Sequence, residues 1–139
     1  MPVVRGQEPE ATGTEGNFAG GVATPGRGAE EVSVIRQRQS PGAANPPHLH
    51  DREEVMVVLT GTVKVTIEKE TEPSTELSTE LSTELSTELS AGDALIVPAN
   101  TMHRIETIGE AEAGWLLAAP AGVRFLFSDG REASPAWAR

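Results

Sequence analysis

All three histidines of this chain fall within two short stretches, and cysteine is absent. The stretches read Gly42-x5-His48-x-His50-x3-Glu54-x6-Gly61 and Gly92-x5-Pro98-x4-His103. Imidazole nitrogens joined by a carboxylate oxygen form a borderline N/O donor set suited to first-row transition metals. On an extended strand, side chains at even offsets share a face. That parity puts His48, His50 and Glu54 on one side and Asp51 and Glu53 on the other.

The spacing resembles the paired motifs of the cupins, which are small jelly-roll β-barrels. Gly42, His48, His50, Glu54 and Gly61 occupy every fixed position of the first cupin motif, and Gly92, Pro98 and His103 occupy positions of the second. Asn100 stands where the second motif has glycine, and Thr107 stands where it has asparagine. Asparagine tolerates a left-handed backbone better than most residues, so the turn at Asn100 is expected to survive. The resemblance runs roughly from Val32 to Phe127. It implies an all-β jelly-roll barrel with one divalent transition metal (Mn, Fe, Ni, Co or Zn) held by His48, His50, Glu54 and His103.

The elements that would carry these residues are short strands between Gly and Pro turns. Val32 and Val34 share a face with Arg36 and Arg38, and Ser33 and Ile35 share the other with Gln37 and Gln39. Either the arginine pair or the glutamine pair faces the interior. It is then either satisfied by the protein or offered to an anionic or carbonyl ligand. Asn45-Pro46-Pro47 imposes extended backbone ahead of the His-x-His segment, and Val63, Val65 and Ile67 alternate with Lys64, Thr66 and Glu68. Residues 94–97, 115–119 and 123–127 read as further strands. Trp115, Phe125 and Phe127 are expected in the core, with Trp137 pinning the C-terminus or a dimer partner. Residues 1–28 read as a flexible N-terminal arm anchored at Phe18, and 29–139 as one barrel domain.

Inside that domain, 71–90 is a low-complexity insert containing four copies of Ser-Thr-Glu-Leu, from Ser74 to Leu89. Three conformations compete for it. A helix would stack glutamates at i,i+4 and be half Ser and Thr. A strand would put Thr and Leu on one face but leave its register weakly specified. A solvated loop suits its polar, repetitive composition and is the preferred reading. The resemblance makes Leu89, two residues before Ala91-Gly92-Asp93, the native leucine, with the other copies a dispensable expansion.

With 139 residues the chain forms one domain and can bury a core without staples. The net charge of −10 argues against nucleic acid and anionic membranes as partners. No apolar run approaches a membrane span. The first residues lack the apolar segment of a secretory signal, so the cytoplasm is the expected location. A homodimer is expected as well.

Four protein ligands on an octahedral ion leave two positions for water, substrate or dioxygen. With every histidine committed to the metal and no tyrosine or cysteine present, acid–base catalysis away from the metal has few candidates beyond Asp51 and Glu53. Cupin epimerases working without metal use a non-ligand His and a Tyr, which this chain lacks. The leading expectation is a metal-dependent enzyme of oxygenase or isomerase type acting on a small oxygen-rich metabolite. The alternatives are a non-catalytic small-ligand-binding or sensor cupin, or an ion that only stiffens the barrel.

Overall fold

The computed structural model describes residues 1–6, 8–70, 82–133 and 135–139. The repeat copies within 71–81 lie outside the described residues. Twelve strands occur among the rest: β1 (Glu10–Ala11), β2 (Asn17–Ala23), β3 (Val32–Gln39), β4 (His48–His50), β5 (Glu54–Thr60), β6 (Thr62–Glu70), β7 (Ser82–Ser90), β8 (Ala94–Val97), β9 (His103–Ile108), β10 (Ala113–Pro120), β11 (Phe125–Phe127) and β12 (Glu132–Ala133). They form two antiparallel six-stranded sheets, ordered β1-β2-β3-β10-β5-β8 and β12-β11-β4-β9-β6-β7. This is the jelly-roll architecture expected.

Strict alternation creates the two faces. Along β10, Ala113, Trp115, Leu117 and Ala119 are buried and the residues between them are not. Trp115 packs with Met56, Val58, Val63, Val65 and Ile105 in one core cluster, while Leu117 joins Ile35, Ala19 and Phe125 in a second. On β3 the inward set is Ser33, Ile35, Gln37 and Gln39, and Arg36 is exposed. Gln39 is fully buried and fully engaged. Its amide nitrogen donates to Asn17 Oδ1 at 2.9 Å and to the Ile105 carbonyl at 3.1 Å, and its Oε1 accepts the Thr107 hydroxyl at 2.6 Å. This network ties β2, β3 and β9 together across the two sheets.

Two tight turns also follow from the sequence. Gly61 has φ 73°, and a Cβ there would stand 2.6 Å from the Glu112 carbonyl oxygen, so only glycine fits between β5 and β6. Asn100 adopts φ 58°, the left-handed conformation expected for the residue standing in place of glycine.

Two expectations change. Part of the stretch expected as a flexible arm is built into the first sheet. Phe18 lies in β2, which pairs with β3 from Asn17↔Gln39 to Ala23↔Val34. The two repeat copies within the described residues form a strand rather than a loop. β7 pairs with β6 throughout, from Glu70↔Ser82 to Thr62↔Ser90. Leu89 is 8% exposed in the core, whereas Leu85, the same residue of the preceding copy, is 51% exposed.

The repeats are chemically identical, so this difference is one of position alone. Leu89→Ala should cost about 3 kcal/mol and Leu85→Ala no more than about 0.5 kcal/mol, as measured by urea unfolding. Deleting the eight residues Ser74 to Leu81 should shift stability by under about 1 kcal/mol. A collapse of the fold on that deletion would show that those copies form a packed element.

Candidate metal centre

His48 and His50 lie on β4, and His103 opens β9 directly opposite His48. The backbone that places them is extended because Pro46 and Pro47 precede β4, and β4 is clamped between β9 and β11. The three imidazoles converge. One ligand nitrogen from each lies within 4.8 Å of the others, and ring centroids are 4.4 to 5.3 Å apart. His48 Nδ1 lies 2.8 Å from the Pro46 carbonyl, and His103 Nδ1 lies 2.8 Å from the Thr101 carbonyl. A carbonyl can only accept, so each ring carries a proton on Nδ1; Nε2 of His48 is left as a lone pair, while Nε2 of His103 faces the Glu54 carboxylate.

Glu54 arrives from the opposite sheet, at the start of β5. One carboxylate oxygen touches His50 Nδ1 and the other lies 3.0 Å from His103 Nε2. Strand parity therefore does not group Glu54 with the histidines. The chain is not one extended strand from His48 to Glu54. It leaves β4 at His50, crosses between sheets through 51–53, and starts β5 at Glu54. Glu54 meets the histidines because the sheets face each other. Glu53 is exposed, and Asp51 accepts the Arg124 backbone N–H at 2.7 Å, so neither faces the site.

Seven buried side-chain polar atoms lack a hydrogen-bond partner among the described residues, and four of them are His50 Nδ1, His50 Nε2, Glu54 Oε2 and His103 Nε2. The contacts of Glu54 with the rings are short but misaligned for hydrogen bonding. Unpaired buried donors and acceptors are costly, and a cluster of them aimed at one another fits a metal ion. His48, His50 and His103 can hold such an ion.

The electrostatics agree. Burial holds the His48 imidazole down at about 3, with the neighbouring His103 and His50 adding to the effect. Burial alone would raise the Glu54 carboxyl, but His103 and His50 outweigh it and hold it at about 2. Burial also works against a proton on His103, yet the Glu54 carboxylate beside it raises that ring above the usual imidazole range.

A cavity of about 160 Å³ opens beside these residues, lined by His48, His50 and Glu54 and by an apolar wall that includes Met56, Leu117 and Phe125. Trp115, expected as core, is both core and wall. Phe127 is half-buried and lines the cavity, and Trp137 packs on Phe125 with centroids 5.8 Å apart. Sequence reasoning did not single out Asn45 or Asn17 of this wall. The only signal was their place beside turns.

The Cupin domain family model matches residues 35–119. The chain is a cupin. Solved structures similar to it include an oxalate oxidase (25% identity, TM-score 0.66, covering 84% of this chain and 58% of that one). Others are the polyketide cyclase RemF from Streptomyces resistomycificus (21%, TM-score 0.63, 86% and 75%) and KdgF from Halomonas sp. (22%, TM-score 0.60, 82% and 86%). This cupin spans about three-fifths of the oxalate oxidase chain. No curated protein sequence matches it significantly. Among its described residues, no helix is long and apolar enough to cross a membrane.

Both departures from the second cupin motif are accommodated. Asn100 donates its backbone N–H to the His50 carbonyl at 2.7 Å, and Thr107 is bonded to Gln39. For this cupin, metal uptake must displace the proton that Glu54 holds on His103. Protons therefore compete from a higher pH than an ordinary imidazole would impose, while His48 stays available to low pH. Affinity should fall as the pH drops through a range above the ordinary imidazole value, with proton release on binding. Calorimetry in buffers of different ionisation enthalpy reads this directly, and an affinity that does not change with pH above the ordinary imidazole value would contradict it. His103→Ala should lose most bound metal by elemental analysis.

Proposed function

We propose that this cupin is a metal-dependent enzyme of oxygenase or isomerase type acting on a small oxygen-bearing metabolite, its ion held by His48, His50, Glu54 and His103. The observation that carries the reading is that His48, His50 and Glu54, two of which carry unpaired buried polar atoms, line a cavity large enough for a small molecule. Structural sites fill their shell with protein ligands, whereas catalytic sites keep a position open. The fold it shares with an oxalate oxidase, a polyketide cyclase and KdgF is consistent with enzymatic chemistry on small molecules. When bound, the ion would supply Lewis acidity, and redox capacity if it is Fe or Mn.

The protein's own part is positional. The Pro46 and Thr101 carbonyls fix the ring orientations of His48 and His103. The Phe125 ring, 4.6 Å from that of His50, excludes water from one side. A second reading, a non-catalytic ligand-binding or sensor cupin, is favoured by one feature. Asp51 and Glu53 are turned elsewhere, so no free general base lines the cavity among the described residues.

Oxygen consumption by Fe(II)-loaded protein, measured together with chemical conversion of the added diketones, catechols and flavonols, separates the two. Turnover abolished by Glu54→Gln supports the enzyme, and saturable binding without turnover supports the sensor. We also propose that the protein pairs through the outer face of the first sheet. There Val34, Ala118, Val55 and Ile96 lie side by side on four adjacent strands, with Ile96 62% exposed. Light scattering should give twice the 14.7 kDa chain mass, and Ile96→Glu should halve it.

A further inference from the structure

The cavity wall carries a polarity pattern apart from the metal ligands, and its interpretation rests on the metal-dependent reading above. Trp115 Nε1–H donates to Gln37 Oε1 at 2.6 Å, and the Ile105 backbone N–H donates to Asn45 Oδ1 at 2.7 Å. Indole and peptide N–H groups can only donate, so both carboxamides must turn their oxygens toward the protein. What each has left for a ligand is its NH2 group. Both side chains line the cavity.

Most other polar groups on the wall are already used, Arg38 Nε being a buried donor without a partner. Asn17 donates to the Glu15 and Ala44 carbonyls, and its oxygen accepts from Gln39. The guanidinium of Arg38 lies 3.1 Å from Glu112 and 4.1 Å over the Phe18 ring, so its charge is already balanced. Among the described residues, the wall's side chains outside the metal cluster and the threonine hydroxyls of the 12–14 turn offer a ligand mainly N–H donors and apolar surface. The volume, about 160 Å³, compares with the roughly 150 Å³ of an apolar cavity that admits benzene.

We infer that the ligand is a single-ring compound carrying neighbouring carbonyl and enol oxygens, neutral or singly charged. Its oxygens face the metal residues, and the amide N–H groups of Gln37 and Asn45 position it. A dicarboxylate is the wrong match. It would bring two negative charges to a wall whose one guanidinium is spoken for, and it has no apolar body to cover Met56, Leu117 and Phe125. Gln37 and Asn45 act as ligand-binding residues, since they line the cavity and donate to the ligand itself.

The probes are tropolone, a monoanionic ring with adjacent carbonyl and hydroxyl groups, and oxalate. Each is titrated into Zn-loaded protein by calorimetry and by quenching of tryptophan fluorescence, with affinities normalised to those for the free ion. Tropolone should be favoured by at least about tenfold, and Gln37→Glu or Gln37→Leu should cost about tenfold in tropolone affinity with metal content unchanged. Gln37→Glu still accepts the Trp115 N–H but no longer donates and adds a charge, whereas Gln37→Leu removes the donor without charge, so a loss shared by both reports the donor. Should Gln37→Leu fail to fold, Gln37→Glu and the preference of the unaltered protein decide. Metal-loaded protein that prefers oxalate, or Gln37 variants that bind tropolone as the parent does, would overturn this inference alone. Protein that takes up no metal would overturn the metal-dependent reading and this one with it.

Discussion

A carboxylate from one sheet is buried against imidazoles from the other, and the rest of the molecule must hold that contact. Removing a carboxylate from water costs several kcal/mol even after relaxation, and Glu54 is 2% exposed. His50 and His103 keep it ionised, yet the angles leave four polar atoms of the cluster unpaired. Neither sheet could carry this cluster alone. It exists only while β4 and β9 face β5, so the packing of the two sheets and the integrity of the site are one constraint. An ion bonded to both sides would cross-link the sheets and remove the desolvation cost together, which ties metal binding to folding.

Holding the contact requires β9 in one register. Side chains alternate with period two, so a slip of one residue would turn His103 outward and Arg104 inward. Apolar side chains tolerate small shifts, but buried hydrogen bonds do not. Gln39 reads the position of β9 at two points, the Ile105 carbonyl and the Thr107 hydroxyl, two and four residues beyond His103. Asn45 reads it again through the Ile105 N–H, just ahead of β4. The same side chain thus aligns β9 with the chain entering the His-x-His strand. Satisfied buried networks have this orienting effect because their alternatives leave polar groups unpaired.

The four residues of the cluster were legible in the sequence because ligand spacing is local and the donor chemistry is restrictive. Strands β3 and β6 were legible from alternation, and β8 and β10 as short apolar runs between turns. The inward parity of β3 was not, since Arg36 and Gln37 both fit a polar-lined barrel and only the position of Trp115 selects glutamine. The grouping of Glu54 with His48 and His50 followed from a parity that the chain does not obey across 51–53. The conclusion held because facing sheets bring together what a single strand would have. Strand β2 was hidden by its composition: Asn17-Phe18-Ala19-Gly20-Gly21 has little intrinsic strand preference, and pairing with β3 overrides it. The repeats misled for a related reason. Low complexity signals weak specification, but a preformed edge at β6 supplies the pairing that the repeats do not specify themselves.

That edge also explains why such a repeat is compatible with a demanding site. In the second sheet β7 is outermost, and β6 separates it from β9 and His103. A four-residue unit equals two strand periods, so adding or removing copies returns Leu and Thr to one face and Ser and Glu to the other. The last copy is held by Leu89 in the core and by the turn in which Asp93 accepts the Ser90 N–H at 2.8 Å. Everything downstream starts from that fixed point. An odd-numbered insertion between Leu89 and Ala94 would be different in kind. It would lie on the other side of the anchor, and β8, whose Val97 pairs with Glu54, would have to turn over.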